Sequence, residues 1–118
     1  MRLFLGSLLL FAASPAFAEI KCVAEQFRAT QQGIKDHVVQ ELTAEQDDPV
    51  ALVLSAKING RAYSLTGNPQ KGDFHAIQSW GKDYTSGIIS AATFNSVGRL
   101  VISQVEGEQV YKLVCTRD

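Results

Sequence analysis

Apolar and polar side chains alternate with a period of two along most of this chain, the signature of half-buried β-strands. The alternation is plainest over residues 50–65, VALVLSAKINGRAYSL, where Asn59-Gly60 interrupts it once. A two-residue type I′ turn needs positive φ at both central positions, which Asn and Gly tolerate, so the segment predicts an antiparallel hairpin. The register follows: Ile58 faces Arg61, Ala56 faces Tyr63 and Leu54 faces Leu65. Leu52, Leu54, Ala56, Tyr63 and Leu65 then share the core side, and Ser55, Lys57, Ser64 and Thr66 the wet side.

The same reading extends along the chain. Gly67-Asn68-Pro69-Gln70-Lys71-Gly72 cannot continue a ladder and is a loop. Residues 73–80 and 84–94 predict the next pair, joined by Gly81-Lys82-Asp83 with Trp80 opposite Tyr84. Asn95-Ser96-Val97-Gly98 fits a type I turn, which sets Phe94 opposite Leu100 and Ala92 opposite Ile102. The last hairpin fits a type II′ turn at Gly107, pairing Ile102 with Leu113 and Leu100 with Cys115.

Residues 20–30 and 36–44 admit two readings. As strands they turn through Gln31-Gln32-Gly33, with Val38 and Val39 favouring β structure. As helices they align Ile34, Val38 and Leu42 at every fourth position. The strand reading is preferred, and it makes an all-β fold, a small antiparallel eight-stranded barrel or barrel-like sandwich. Full closure is the favoured form, because it removes the edges an exported monomer otherwise has to guard.

The first residues change the picture. Arg2, an apolar run over residues 3–11 too short to cross a bilayer, and Ala16-Phe17-Ala18 read as a signal peptide cut after Ala18. Residues 19–118 are then a single exported domain, periplasmic or secreted. Cys22 does not stand directly after the cut, so no lipid anchor is expected. Of the 11 basic residues Arg2 leaves with the leader, so ten remain against 12 acidic ones, a net charge of −2. With its basic residues scattered singly, the chain lacks the concentrated positive field that nucleic acid or an anionic membrane surface requires. The two cysteines, Cys22 and Cys115, sit near opposite ends of the exported chain and read as one structural disulfide.

Candidate chemistry is sparse. The predicted registers put Gln78 opposite Ser86, and Ser90 opposite Gln104, which in turn faces Tyr111, all on the core side. Buried amides and hydroxyls either satisfy one another or orient a ligand, and here they suggest a polar barrel mouth walled by Phe74 and Trp80. Trp80, Lys82, Asp83 and Tyr84 make the one loop with two aromatics and a charged tip; the alternatives are a clamped hairpin or a partner-binding loop. Val101, Val105, Val110 and Val114 fall on the nominally wet side, which implies a covering segment, such as residues 36–44, or a homo-oligomer.

No enzyme is expected. His37 beside Asp36 and His75 near Asp73 find no nucleophile, and G-x-S-x-G, H-E-x-x-H and Gly-rich phosphate loops are absent. Neither a catalytic set, a metal site nor a cofactor is read from the chain. In architecture alone, a signal peptide followed by a disulfide-tied eight-stranded barrel of this size resembles the small periplasmic lysozyme inhibitors. Lys71-Gly72 and Ser79-Trp80-Gly81-Lys82 are partial echoes of that family's Ser-Gly and Lys-Gly signature. The residues themselves imply an exported, non-enzymatic binding module, for a small ligand in the polar mouth or a protein at the aromatic loop. The resemblance implies inhibition of a lytic enzyme as the alternative, and a structural envelope protein is the third.

Overall fold

The computed structural model describes residues 19–118; the signal peptide read over residues 1–18 lies outside them. Nine strands follow one another: β1 Ile20–Thr30, β2 Gly33–Glu41, β3 Thr43–Asp47, β4 Leu52–Ile58, β5 Arg61–Asn68, β6 Asp73–Trp80, β7 Ser86–Ala92, β8 Arg99–Glu106 and β9 Gln109–Arg117. They form two antiparallel sheets, a four-stranded one in the order β2-β1-β9-β8 and a five-stranded one in the order β3-β4-β5-β6-β7.

The central hairpin forms as its turn residues dictate. Asn59 and Gly60 both take positive φ, 49° and 78°, and the pairs Ile58–Arg61, Ala56–Tyr63 and Leu54–Leu65 are in register. β8 and β9 likewise pair Ile102 with Leu113, Leu100 with Cys115 and Gln104 with Tyr111. Between the sheets, buried Leu54, Leu65 and Phe74 from one side meet Ala24, Leu100 and Leu113 from the other.

The sheets do not close into a barrel, which overturns the closed form expected from the sequence. The ring is interrupted twice. Residues 36–44 are not one strand: β2 ends at Glu41, β3 begins at Thr43, and Leu42 between them turns into the core while its N–H donates to the Cys22 carbonyl at 2.9 Å. One apolar residue at that point carries the chain from one sheet to the other, because burying it requires the flanking strands to diverge.

The second interruption lies between β7 and β8, which do not pair. The expected turn is present, with the Gly98 N–H donating to the Asn95 carbonyl at 3.0 Å and the Asn95 side chain accepting from the Val97 and Arg99 N–H groups. Gly98 has φ 75° and lies so close to β9 that a Cβ there would meet the Arg117 carbonyl at 2.3 Å. What the turn joins is different. β7 stops at Ala92, and Phe94 packs edge-on against Phe74, ring centroids 5.2 Å apart. Phe94–Leu100, Ala92–Ile102 and Ser90–Gln104 are therefore not cross-strand pairs: Ala92 faces Phe74 and Ser90 faces Ala76.

The β6–β7 connection is two residues longer than expected. A 3₁₀ turn at Lys82–Tyr84, with Asp83 and Tyr84 both left-handed, sets Trp80 opposite Ser86 and Gln78 opposite Ile88. A shift of two keeps every side chain on its expected face. β1 and β9 pair along their length, and Cys22 and Cys115 face each other across them as a disulfide, Cα atoms 4.0 Å apart. The bridge thus ties the first and last strands inside one sheet. Residues 36–44 do not cover the valines; β2 lies beside β1 as an edge strand, and Val101 and Val105 are exposed.

Candidate functional site

Turn geometry determines what enters one end of the sandwich. Because the I′ turn ends at Gly60, the first residue of β5 is Arg61, and the alternation that turns Tyr63 and Leu65 inward turns Arg61 inward as well. Its side chain is 4% exposed. From the same sheet Trp80 lies under the guanidinium at 4.1 Å from its ring centroid, and from the facing sheet Tyr111 lies at 3.6 Å. Arg61 Nε donates to Gln78 Oε1 at 2.9 Å, and Nη2 donates to Gln104 Oε1. Gln104 in turn donates to Glu106 at 3.4 Å.

A buried cation of this kind needs compensation of several kcal/mol. Two desolvated cation–π contacts at about 2 kcal/mol each and two hydrogen bonds to a charged donor at about 1.5–3 kcal/mol each are of the right size. No carboxylate pairs with Arg61 among the described residues. Gln78 is 1% exposed, and with its Oε1 held by Arg61 its Nε2 has no hydrogen-bond partner. The centre is rich in donors and short of acceptors.

A second bridge between the sheets lies beside it. Gln26 Nε2 donates to the Tyr63 hydroxyl at 2.8 Å and to the Ile58 carbonyl at 3.1 Å, while Asn59 Nδ2 donates to Gln26 Oε1 at 3.5 Å. Burial raises the Tyr63 phenol above its ordinary value, opposed by the Gln26 hydrogen bond and the nearby Arg61 charge. Gln26, Asn59 and Tyr111 then form the inner wall of an open recess of about 500 Å³, completed by Asp36, His37, Val38 and Gln109. His37 is held there by Glu25, Nε2 to Oε2 3.1 Å, and by an edge contact with Phe27. Arg28 at the rim bonds Asp36 at 3.0 Å and Glu108 at 3.5 Å, and the Asp36 hydrogen bond raises its already high pKa.

Three of the five residues read as ligand-binding, Gln78, Gln104 and Tyr111, converge on Arg61. Ser86 and Ser90 stay on β7, opposite Trp80 and Ala76, without a hydrogen bond to the cluster. Phe74, expected as a wall of the mouth, packs at the other end of the sandwich with Phe94. The aromatic loop divides: Trp80 turns in to Arg61, whereas Lys82, Asp83 and Tyr84 remain exposed on the 3₁₀ turn, Lys57 Nζ resting 4.8 Å from the Tyr84 ring centroid. Sequence reasoning missed Arg61 and Gln26. The signal was there, since an arginine in step with Tyr63 and Leu65 occupies a core position. What the cluster offers chemically is hydrogen-bond donation and a fixed positive charge between aromatic faces.

Compared with known protein families, curated proteins and solved structures, the chain matches none.

Proposed function

We propose that this chain is an exported, non-enzymatic binding module whose site is the polar end of the sandwich, and whose ligand is a small molecule bearing a carboxylate or similar anionic acceptor. The observation that carries the reading is a buried guanidinium that, among the described residues, has no carboxylate partner, beside a buried amide nitrogen that has no acceptor among them. Buried polar groups are normally satisfied, and a deficit confined to one spot is the mark of a missing partner. A carboxylate supplies what is short: it accepts from Gln78 Nε2 and from the guanidinium protons left free by Gln78 and Gln104, in charge-assisted bonds. Trp80 and Tyr111 provide apolar walls, and Tyr111 is shared with the neighbouring recess, toward which the rest of the molecule would extend.

Export rests on the leader-like residues 1–18 and on the Cys22–Cys115 disulfide, which belongs to an oxidising compartment, periplasmic or extracellular. Native mass spectrometry of the oxidised protein, purified without denaturation, tests the reading. The expected result is an added mass on the wild type that Arg61→Met lacks. An adduct carried equally by both proteins would remove Arg61 from the site.

A further inference from the structure

The two sides of the sandwich are guarded unequally. On one side the sheets end in β2 and β3, each broken by an extra residue in its pairing and each charged: Lys35, Asp36 and Glu41 on β2, Glu45 and Asp47 on β3. Bulges and charges are how proteins keep a free edge from pairing with another chain. On the other side the sheets end in β7 and β8. β7, Ser86-Gly87-Ile88-Ile89-Ser90-Ala91-Ala92, has no charge and an unbroken register with β6. β8 keeps its charges to its two ends, Arg99 and Glu106, leaving Leu100-Val101-Ile102-Ser103-Gln104-Val105 uncharged. Five of the ten exposed large apolar side chains, Ile88, Ile89, Val97, Val101 and Val105, fall on this side and its connecting turn.

We infer that β8 is the edge through which two copies of this chain pair, antiparallel about a two-fold axis at Ser103, continuing the four-stranded sheet into the second copy. The register is fixed by the side chains. With Ser103 opposite its own copy, Val101 meets Val105 of the second copy twice, and Ile102 meets Gln104. β-branched pairs directly opposite one another stabilise an antiparallel ladder, and no like charges oppose each other in this alignment. Within each copy Val101 already pairs with Val114 and Val105 with Val110, and these continue to Val23 and Phe27 on β1. The two-fold therefore joins short apolar rows into rows crossing both molecules. Inner-face residues meet inner-face residues, so the cores stay aligned, and uncharged β7 on the same side offers no repulsion. A closed two-fold contact uses up the edge and stops at two copies. β8 also carries Gln104 of the Arg61 cluster, but Gln104 lies on the inner face with Leu100 and Ile102, whereas the Val101 and Val105 pairs lie on the outer face.

Sedimentation of the oxidised protein over a range of concentrations tests the pairing. The wild type is expected to pass from monomer to dimer as concentration rises. Val105→Lys, at a position 63% exposed in the single chain, is expected to stay monomeric with unchanged circular dichroism, whereas Ile34→Lys on the guarded β2 edge dimerises like the wild type. Ser103→Cys fixes the register, because only a two-fold at that residue places the new thiol against its own copy. Rapid formation of a disulfide-linked dimer by Ser103→Cys is the expected result. A wild type monomeric at every concentration, or a dimer that Val105→Lys leaves intact and Ser103→Cys does not cross-link, overturns the inference.

Discussion

The two ends of the sandwich are built by the same alternation and hold opposite contents. At one end Cys22, Cys115, Leu100 and Phe74 are all buried, and among the described residues no buried side-chain nitrogen or oxygen there lacks a partner. At the other, the same inward positions carry Gln26, Arg61, Gln78 and Tyr63; Gln26–Tyr63, Arg61–Gln104 and Arg61–Tyr111 reach between the sheets, while Gln78 holds Arg61 within its own sheet. Apolar residues of similar volume generally hold two sheets together at least as well as a buried ion does. The polar end is therefore a weak clamp, which agrees with the binding role proposed for it, and the apolar end is the part that holds the two sheets together by burial alone.

That contrast is broken most forcefully at the disulfide. Cys22 and Cys115 are 93 residues apart in sequence, and for a loop of that length removing the bridge by the double Cys22→Ala, Cys115→Ala change is expected to cost about 4 to 5 kcal/mol. Denaturant unfolding measures it, and a loss near zero would mean that the apolar end is not the anchor.

At the polar end the informative experiment is a double-mutant cycle. Gln78→Leu alone strips Arg61 Nε of its acceptor and is expected to cost about 1–3 kcal/mol. Arg61→Met alone leaves the buried Gln78 amide without a partner and is expected to cost a comparable amount; in that background Gln78→Leu is expected to be neutral or stabilising, since it then removes the unpartnered amide. Additive losses would show that the two residues do not act as one unit.

A smaller effect is expected at Tyr63. Tyr63→Phe removes one hydrogen bond with Gln26, about 1 kcal/mol. The phenol's pKa in the folded protein is raised above its unfolded value, so its contribution is intact below about pH 10 and is lost as pH rises through the higher folded value. The wild type should thus lose stability above about pH 10 more steeply than Tyr63→Phe, which pH-dependent melting curves resolve. Smallest of all is Arg28→Ala: its ion pairs with Asp36 and Glu108 are exposed, and no resolvable change in melting temperature is expected.

What the sequence discloses follows the same division. Asn59-Gly60, Asn95–Gly98 and Gly107 are local signals, and each marks a turn that exists. Register across β4–β5 and β8–β9 is legible because the turns are short and the alternation continues on both sides. What a local pattern does not carry is which sheet a strand joins after its turn. Asn95–Gly98 looks the same whether it closes a ladder or bridges two sheets, and only the packing of Phe94 on Phe74 distinguishes them. Leu42 hides a similar change of sheet inside what reads as one strand. The site was half visible: Gln78, Gln104 and Tyr111 stand out as polar residues on a core face, but Arg61 sits next to the turn, where a charged residue looks ordinary until its face is counted.

The central claim is that the polar end holds donors awaiting an acceptor. Its most direct test is a nuclear magnetic resonance titration of the oxidised protein with acetate, the simplest carboxylate, following the Gln78 side-chain amide and the Arg61 Nε–H. Saturable shifts at both groups, absent at exposed lysines and lost in Arg61→Met, are the expected result. Gln78 and Arg61 signals that stay still, or drift linearly together with surface residues, would contradict the account.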